Sequence, residues 1–372
     1  MKLTDEQARA AKALQKFRED DERIFRFSGY AGTGKTTLLS YVLGPGDPSV
    51  FFAAPTAKAA QVLTSKGLPA RTLHSLLYTP YETIDPKTKK PKLGFKLNPK
   101  SDLARGGVVV VDESSMVPSW MADDLMEFPV KVIAVGDPAQ LPPVMSKGNQ
   151  SLLSGKPDVV LENVQRSALD SPVTALATII RRDGKITGYG TKGSSGVYRS
   201  IHEVPRPVSS FDQVIVGTHR TRFKLTRRMR PSLPDLPVEG DRVICKSNNK
   251  EIGAVNGDQY MVRKAHGMVS EDAIGLELEP VEGGPRIYAD VWKYGFTGPE
   301  GREYLSTLPM KDRNAYLEMW MANAITAHSS QGSEWNHVLV VNEAHVFRPN
   351  DDKWLYTAVT RARESVTVVR SI

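Results

Sequence analysis

Short, unbroken apolar runs recur along this chain at residues 50–54, 108–111, 132–135, 214–216 and 338–341, each closed by glycine, proline or a polar cluster. Runs that are apolar at every position, not at alternate ones, predict strands of a parallel sheet covered on both faces. Between them the spacing turns helical. Residues 4–17 put Ala10, Leu14 and Phe17 on one face behind a Thr4 N-cap, and residues 56–63 are alanine-rich. Ser171, Pro172 and Gly184 mark the start and stop of another helix, and residues 219–230 predict a strongly basic one. Strand–helix alternation on this scale predicts an α/β protein with two parallel-sheet halves. Two stretches break the pattern. Residues 79–100, rich in proline and lysine with a turn candidate at Asp85-Pro86-Lys87-Thr88, predict a small hairpin projecting from the first half. Residues 240–320 change to short strands with Gly and Asn turns, Asn256-Gly257 among them, and predict a small β-barrel inserted in the second half. The Gly/Ser stretch 188–196 predicts a flexible loop.

Chemistry concentrates just beyond the predicted strands. Residues 29–37 read GYAGTGKTT and match G-x-x-x-x-G-K-[ST], with Gly29 and Gly34 as the fixed glycines, then Lys35 and Thr36. Ile24, Phe25 and Phe27 precede the loop and Thr37-Leu38-Leu39 open a helix after it. That setting turns backbone N–H groups and a helix N-terminus toward an anion. A nucleoside triphosphate is implied, with Lys35 on its terminal phosphates and the Thr36 hydroxyl on Mg²⁺. Asp112 and Glu113 end a run of four valines. There Asp112 suits a metal held through water, and Glu113 suits orienting or deprotonating a nucleophile. Gln140, beyond the run 132–135, can bond a γ-phosphate without altering the charge balance. Gln7 has two readings, closing a capping box with Thr4 or facing an adenine, and both stay open. Thr56, Lys58, Thr72 and His74 follow apolar elements, where polar side chains meet a ligand; for His74 a structural role is the commoner one.

Charge adds a polyanion to this picture. The net charge is +7, and its placement says more than its size. Residues 81–100 carry six lysines against Glu82 and Asp85, and residues 219–230 carry six cations and no acid. Such clustering is the electrostatic footprint of a nucleic acid, although either stretch alone also suits a solvated face. Cys245 is the single cysteine, which excludes an internal disulfide and a cysteine-built zinc site. With no run of eighteen apolar residues, the expectation is a soluble, cytoplasmic protein without a membrane partner.

Taken together, GYAGTGKTT, APTAKAA, TLHSLL, VVDESSM, VGDPAQLPPV, VQRS, GDRVI with NGDQY, AITAHSSQGSEW and YTAVTRAR resemble, in order, the motifs of superfamily 1 DNA helicases of the RecD and Dda branch. The resemblance covers nearly the whole chain. It implies two RecA-like lobes, 1–165 and 166–239 with 321–372, a hairpin wedge at 79–100 and an SH3-like barrel at 240–320. ATP and Mg²⁺ are the implied cofactors, and single-stranded and fork DNA the implied partners of a monomer that moves 5′ to 3′. By motif, Gln7 reads the base, and Gly29, Gly32, Thr33, Gly34, Lys35, Thr36, Thr37, Gly332 and Glu334 surround the nucleotide, with Glu334 at the ribose. Arg166 and Arg361 correspond to arginine fingers. Pro55, Thr56, Lys58, Thr72, His74, Thr326 and His328 fall in motifs that line the DNA track, and Phe95 is an aromatic of the wedge able to stack on a base. Ser329 departs from relatives that carry lysine there. The alternatives are a small-molecule phosphotransferase, a nucleotide-dependent strand binder and an RNA helicase of the same superfamily.

Overall fold

The computed structural model describes residues 3–44, 46–84, 91–143, 151–163, 171–231, 234–249 and 251–372. The first helix, Asp5–Glu19, starts on the expected capping box: Gln7 N–H donates to Thr4 Oγ1 and Thr4 N–H to Gln7 Oε1, each at 3.2 Å. Its buried face of Ala10, Leu14 and Phe17 packs on Phe25, Phe27 and Leu38. Behind it stands a six-stranded parallel sheet in the order Ala70–Thr72, Val50–Ala54, Gly107–Val111, Val130–Gly136, Ile24–Gly29, Val159–Leu161. Helices cover both faces, which is why Val109, Val110, Val111, Val132 and Ile133 are all buried. The carboxyl ends of three adjacent strands, Gly107–Val111, Val130–Gly136 and Ile24–Gly29, therefore open on one edge, where ligands of such sheets bind.

A second sheet has the order Ala324–Thr326, Gln213–Val216, Trp335–Val341, Ala362–Val369, Ser195–Tyr198, Gly190–Lys192, parallel except for the last strand. The stretch expected to be a flexible loop at 188–196 is instead the antiparallel edge of this sheet. Composition misled because these small residues are chosen for fit: the Tyr198 ring lies where a Cβ on Gly196 would sit, at 2.6 Å, and Ser195 Oγ accepts from Val366 N–H at 2.9 Å. The helix Pro172–Asp183 lies against the strand Ala362–Val369 with Ser171 as its cap and Gly184 left-handed at φ 71°. The basic helix is His219–Met229.

Between them, Arg242–Cys245, Gln259–Met268, Ala273–Pro280, Ile287–Trp292 and Met319–Met321 form a five-stranded antiparallel sheet around Val243, Tyr260, Leu276 and Val291. Arg230 and Asp241, each 7% exposed, anchor its entry, with Arg230 Nε donating to Asp241 Oδ1 at 2.8 Å. Tyr78–Ile84 and Pro91–Leu97 pair antiparallel; residues 85–90, which hold the expected turn, lie outside the described residues. No helix among the described residues is long and apolar enough to cross a membrane.

Candidate nucleotide site between the two parallel sheets

The loop after the strand Ile24–Gly29 enters the helix Lys35–Leu43 through Gly34 in the left-handed region at φ 81°, with Gly32 likewise at φ 77°. Both positions require residues without Cβ strain. Gly29 permits a close approach, since a Cβ there would lie 2.9 Å from Thr33 Oγ1 and 3.0 Å from Lys35 Cγ. Lys35 Nζ folds back on the loop, donating to the Gly29 carbonyl at 2.7 Å and the Tyr30 carbonyl at 3.1 Å. A triphosphate competes well for such a lysine, because a charged acceptor outbids neutral carbonyls. Gln7 serves its cap and the loop at once: Nε2 donates to the Thr33 carbonyl at 3.3 Å.

Across the crevice, Asp112 and Glu113 follow the valine strand. Glu113 is the one non-glycine residue of positive φ among the described residues, at 52°, a strained conformation of the kind that functional turns retain. Its N–H donates to Asp112 Oδ1 at 2.9 Å. Burial pushes the Asp112 carboxyl up, against the Glu113 N–H, Lys35, Lys66 and the Thr36 hydroxyl, which favour its charge. Burial and then the neighbouring Asp112 push Glu113 up to about 7, opposed by Arg361 and Lys35. A carboxyl poised there suits general-base work near neutrality. The Asp112 carboxylate beside the Thr36 hydroxyl makes a hard oxygen pair, and no cluster of three or more His, Cys, Asp or Glu ligands exists among the described residues. That sparse donor set fits Mg²⁺, which keeps waters and phosphate oxygens as its other ligands.

The second sheet closes the site from the opposite side. Tyr356, on the helix Asp351–Val359, donates its hydroxyl to Asp137 Oδ2 at 2.7 Å and accepts the N–H of Ala31, in the phosphate loop, at 3.2 Å. Thr357 Oγ1 accepts from Leu141 N–H at 2.9 Å. Arg361 is 4% exposed, held by the Thr357 carbonyl at 3.1 Å, and its charge acts on Glu113. Arg181 stacks on the Tyr30 ring with its guanidinium carbon 3.7 Å from the centroid. Arg181 and Tyr30 line a cleft of about 260 Å³ with Gly32, Glu334, Tyr356 and Arg363. Glu334 pairs with Arg363 at 3.1 Å. Gln140, 6% exposed, lies in the turn that Asp137 organises. Arg166 lies outside the described residues.

Sequence reasoning singled out Lys35, Asp112, Glu113, Gln140 and Arg361 but not Tyr356, Asp137 or Arg181. The only signal for the first two was their membership of YTAVTRAR and VGDPAQ; nothing pointed to Arg181.

Three of the expected DNA-track residues, Thr56, Thr72 and Thr326, stand at or just after the carboxyl ends of parallel strands. Thr56, Thr72 and Thr326 each cap a short helix, accepting from Ala59, Ser75 and Ser329 N–H at 3.1, 3.2 and 3.3 Å. Pro55 immediately precedes the first of these caps. Gly332 lies against the first cap, where a Cβ would sit 3.5 Å from Thr56 Oγ1. Lys58, only 6% exposed, pairs with Glu282 and with Asp258, at 3.4 Å, both in loops that flank strands of the antiparallel sheet. The His74 ring meets Phe95 edge-on at 4.5 Å between centroids, and burial lowers the basicity of both His74 and His328. Phe95 itself is 47% exposed.

Comparison with known proteins agrees with this geometry. An AAA domain family model matches residues 2–198, more than half of the chain, and a UvrD-like helicase C-terminal domain matches residues 321–369. The ATP-dependent DNA helicase dda of Enterobacteria phage T4 is 27% identical over 220 residues, covering 52% of this chain and 47% of that one. The ATP-dependent RecD2 DNA helicase of Deinococcus radiodurans is 27% identical over 395 residues, 97% of this chain and 48% of that one. The chain thus spans about half the length of the curated relatives it matches. In fold it is similar to the Pif1 helicase from Bacteroides solved with ADP-AlF3 and ssDNA, with a TM-score of 0.58, 20% identity and coverage of 99% of this chain and 92% of that one. The α/β architecture is accordingly a parallel-sheet RecA-like core of the kind seen in Pif1 helicase structures, the sequence is similar to the Dda and RecD2 DNA helicases, and the chain belongs to the AAA domain family.

Proposed function

We propose that this protein is an ATP-driven helicase that moves 5′ to 3′ on single-stranded DNA and separates duplex at a fork. One observation carries the reading: Lys35 of the phosphate loop, Asp112 and, from the second sheet's side, Arg361 all act electrostatically on Glu113, while Tyr356 ties the loop to that second side. Residues 1–165 form one lobe, 166–239 with 321–372 the other, 240–320 an SH3-like barrel and 79–100 a wedge. Lys35 leaves its loop carbonyls to hold the terminal phosphates, Gln140 donates to the γ-phosphate, and Thr36 and Asp112 would hold Mg²⁺. Bound there, Mg²⁺ offsets phosphate charge. Glu113 takes the proton of the attacking water. Arg361, with Arg166, stabilises the departing charge; such a group is worth about 10³ to 10⁵ in rate, or roughly 4 to 7 kcal/mol. Hydrolysis therefore waits for closure, and each closing and opening shifts the grip on a strand held by both lobes.

The test pairs ATP hydrolysis with substrate polarity. Single-stranded DNA is expected to stimulate hydrolysis, and a fork with a 5′ tail to be unwound where a 3′ tail is not. Hydrolysis indifferent to DNA but responsive to a small acceptor favours a phosphotransferase, and no unwinding of either fork favours a strand binder.

A further inference from the structure

Cations crowd one place in the molecule that the nucleotide site does not use. Trp320, on the strand Met319–Met321, is ringed by Arg222, Lys246 and Arg302, whose charged ends lie 4.7, 4.7 and 4.5 Å from its ring centroid. His219 meets the same ring edge-on at 5.4 Å. These side chains come from three directions: the basic helix, the antiparallel sheet and the helix Pro299–Thr307. Arg222 is 2% exposed, yet its Nε and Nη2 have no hydrogen-bond partner among the described residues, where Nη1 reaches only the Met321 carbonyl at 3.5 Å. The buried His219 Nδ1 is also unpartnered. A buried guanidinium with unmet donors is costly, and like charges beside it add to that cost.

The local acid does not balance the group. Glu318 is 3% exposed and already accepts from Arg313 Nη2 at 2.6 Å and Trp320 Nε1 at 3.1 Å. Burial first, then Arg302, Arg222, Lys246 and His328, drive the His219 imidazole to about 3, so it is a neutral member of the cluster. Burial and Arg302 lower Arg222 to about 9. Lys246, half-buried, points Nζ at Ser329 Oγ 3.5 Å away, beside the Thr326 cap and His328.

We infer that Arg222, Lys246 and Arg302 form a phosphodiester-binding subsite, filled by a backbone phosphate of single-stranded DNA that supplies the missing acceptor and counter-charge. The inference rests on the strand-binding reading above and names a grip on the second lobe. Trp320, 8% exposed, props the cations apart and is too covered to stack on a base. The subsite reads phosphate only, so it adds affinity without sequence preference.

The probe is a fluorescein-labelled oligothymidylate, titrated at several salt concentrations against the whole chain. Lys246→Met is expected to weaken binding and reduce the slope of log K against log salt by about 0.7, the loss of one phosphate contact on a single strand. Adding Ser329→Lys supplies a cation from the residue whose Oγ lies 3.5 Å from Lys246 Nζ and is expected to recover both. Without DNA, the melting temperature of Lys246→Met equals or exceeds that of the wild type, because a like charge is gone. Unchanged affinity and slope in Lys246→Met overturn the subsite alone. A fall in melting temperature together with affinity, unrecovered by Ser329→Lys, marks a structural lysine and overturns it too. A wild-type chain that does not bind the oligonucleotide overturns the helicase reading and the subsite with it.

Discussion

Replacing Tyr356 by phenylalanine isolates the link between the phosphate loop and the second sheet. The ring is 3% exposed and stays packed, so no cavity opens and only the hydroxyl is lost. That hydroxyl makes a 2.7 Å bond to Asp137, a carboxylate 1% exposed, and accepts from Ala31 N–H at 3.2 Å. Burial and the Asp137 charge hold the Tyr356 phenol above its ordinary range, so it remains a donor at neutral and mildly alkaline pH. Asp137 retains the Ala139 N–H at 2.9 Å on its other oxygen, and Ala31 is near enough to solvent to take a water. The loss is then one hydrogen bond to a buried charge, about 1.5–3 kcal/mol. At about 2–4 °C per kcal/mol for a domain of this size, melting falls by roughly 3–12 °C. Differential scanning fluorimetry reads the shift, and steady-state hydrolysis reads a raised KM for ATP, since the loop loses its tie to the opposite sheet. A shift below about 1 °C with unaltered KM would refute the claim that this bond joins the halves, because it is smaller than any loss of a charged hydrogen bond.

Lys35→Ala is expected to abolish hydrolysis while leaving the melting temperature near wild type, since the lysine makes only loop-carbonyl contacts without nucleotide. Glu113→Gln should bind ATP but turn over about 10² to 10⁴ slower, read by single-turnover hydrolysis; a loss below tenfold removes its role as base. Arg230→Ala leaves Asp241 buried without its partner and should destabilise by about 3–5 kcal/mol in urea unfolding. Glu282→Gln loosens Lys58 from its acidic partner and should raise affinity for an oligonucleotide, measured by anisotropy; no change would assign Lys58 to holding the antiparallel sheet in place.

Local order carried much of this protein. Unbroken apolar runs can be satisfied only by burial on both faces, so 108–111 and 132–135 read correctly as parallel strands, and Thr4, Ser171, Pro172 and Gly184 bounded their helices because caps are local hydrogen-bond and dihedral requirements. The phosphate loop, Asp112 and Glu113 were equally legible, since their chemistry depends on neighbours a few residues away. The second strand of 188–196 was not, because Gly196 is chosen to fit Tyr198 and pair with a strand about 170 residues on. Nor were the partners of Tyr356, of Lys58 and of Arg222. Those depend on which surfaces meet after the chain has crossed from one sheet to the other, and no local pattern encodes a distance between residues 31 and 356 or a cation ring closed by residues 222, 246 and 302. Sequence specified the parts and the phosphate loop; only tertiary packing decided which charges were paired and which were gathered around Trp320.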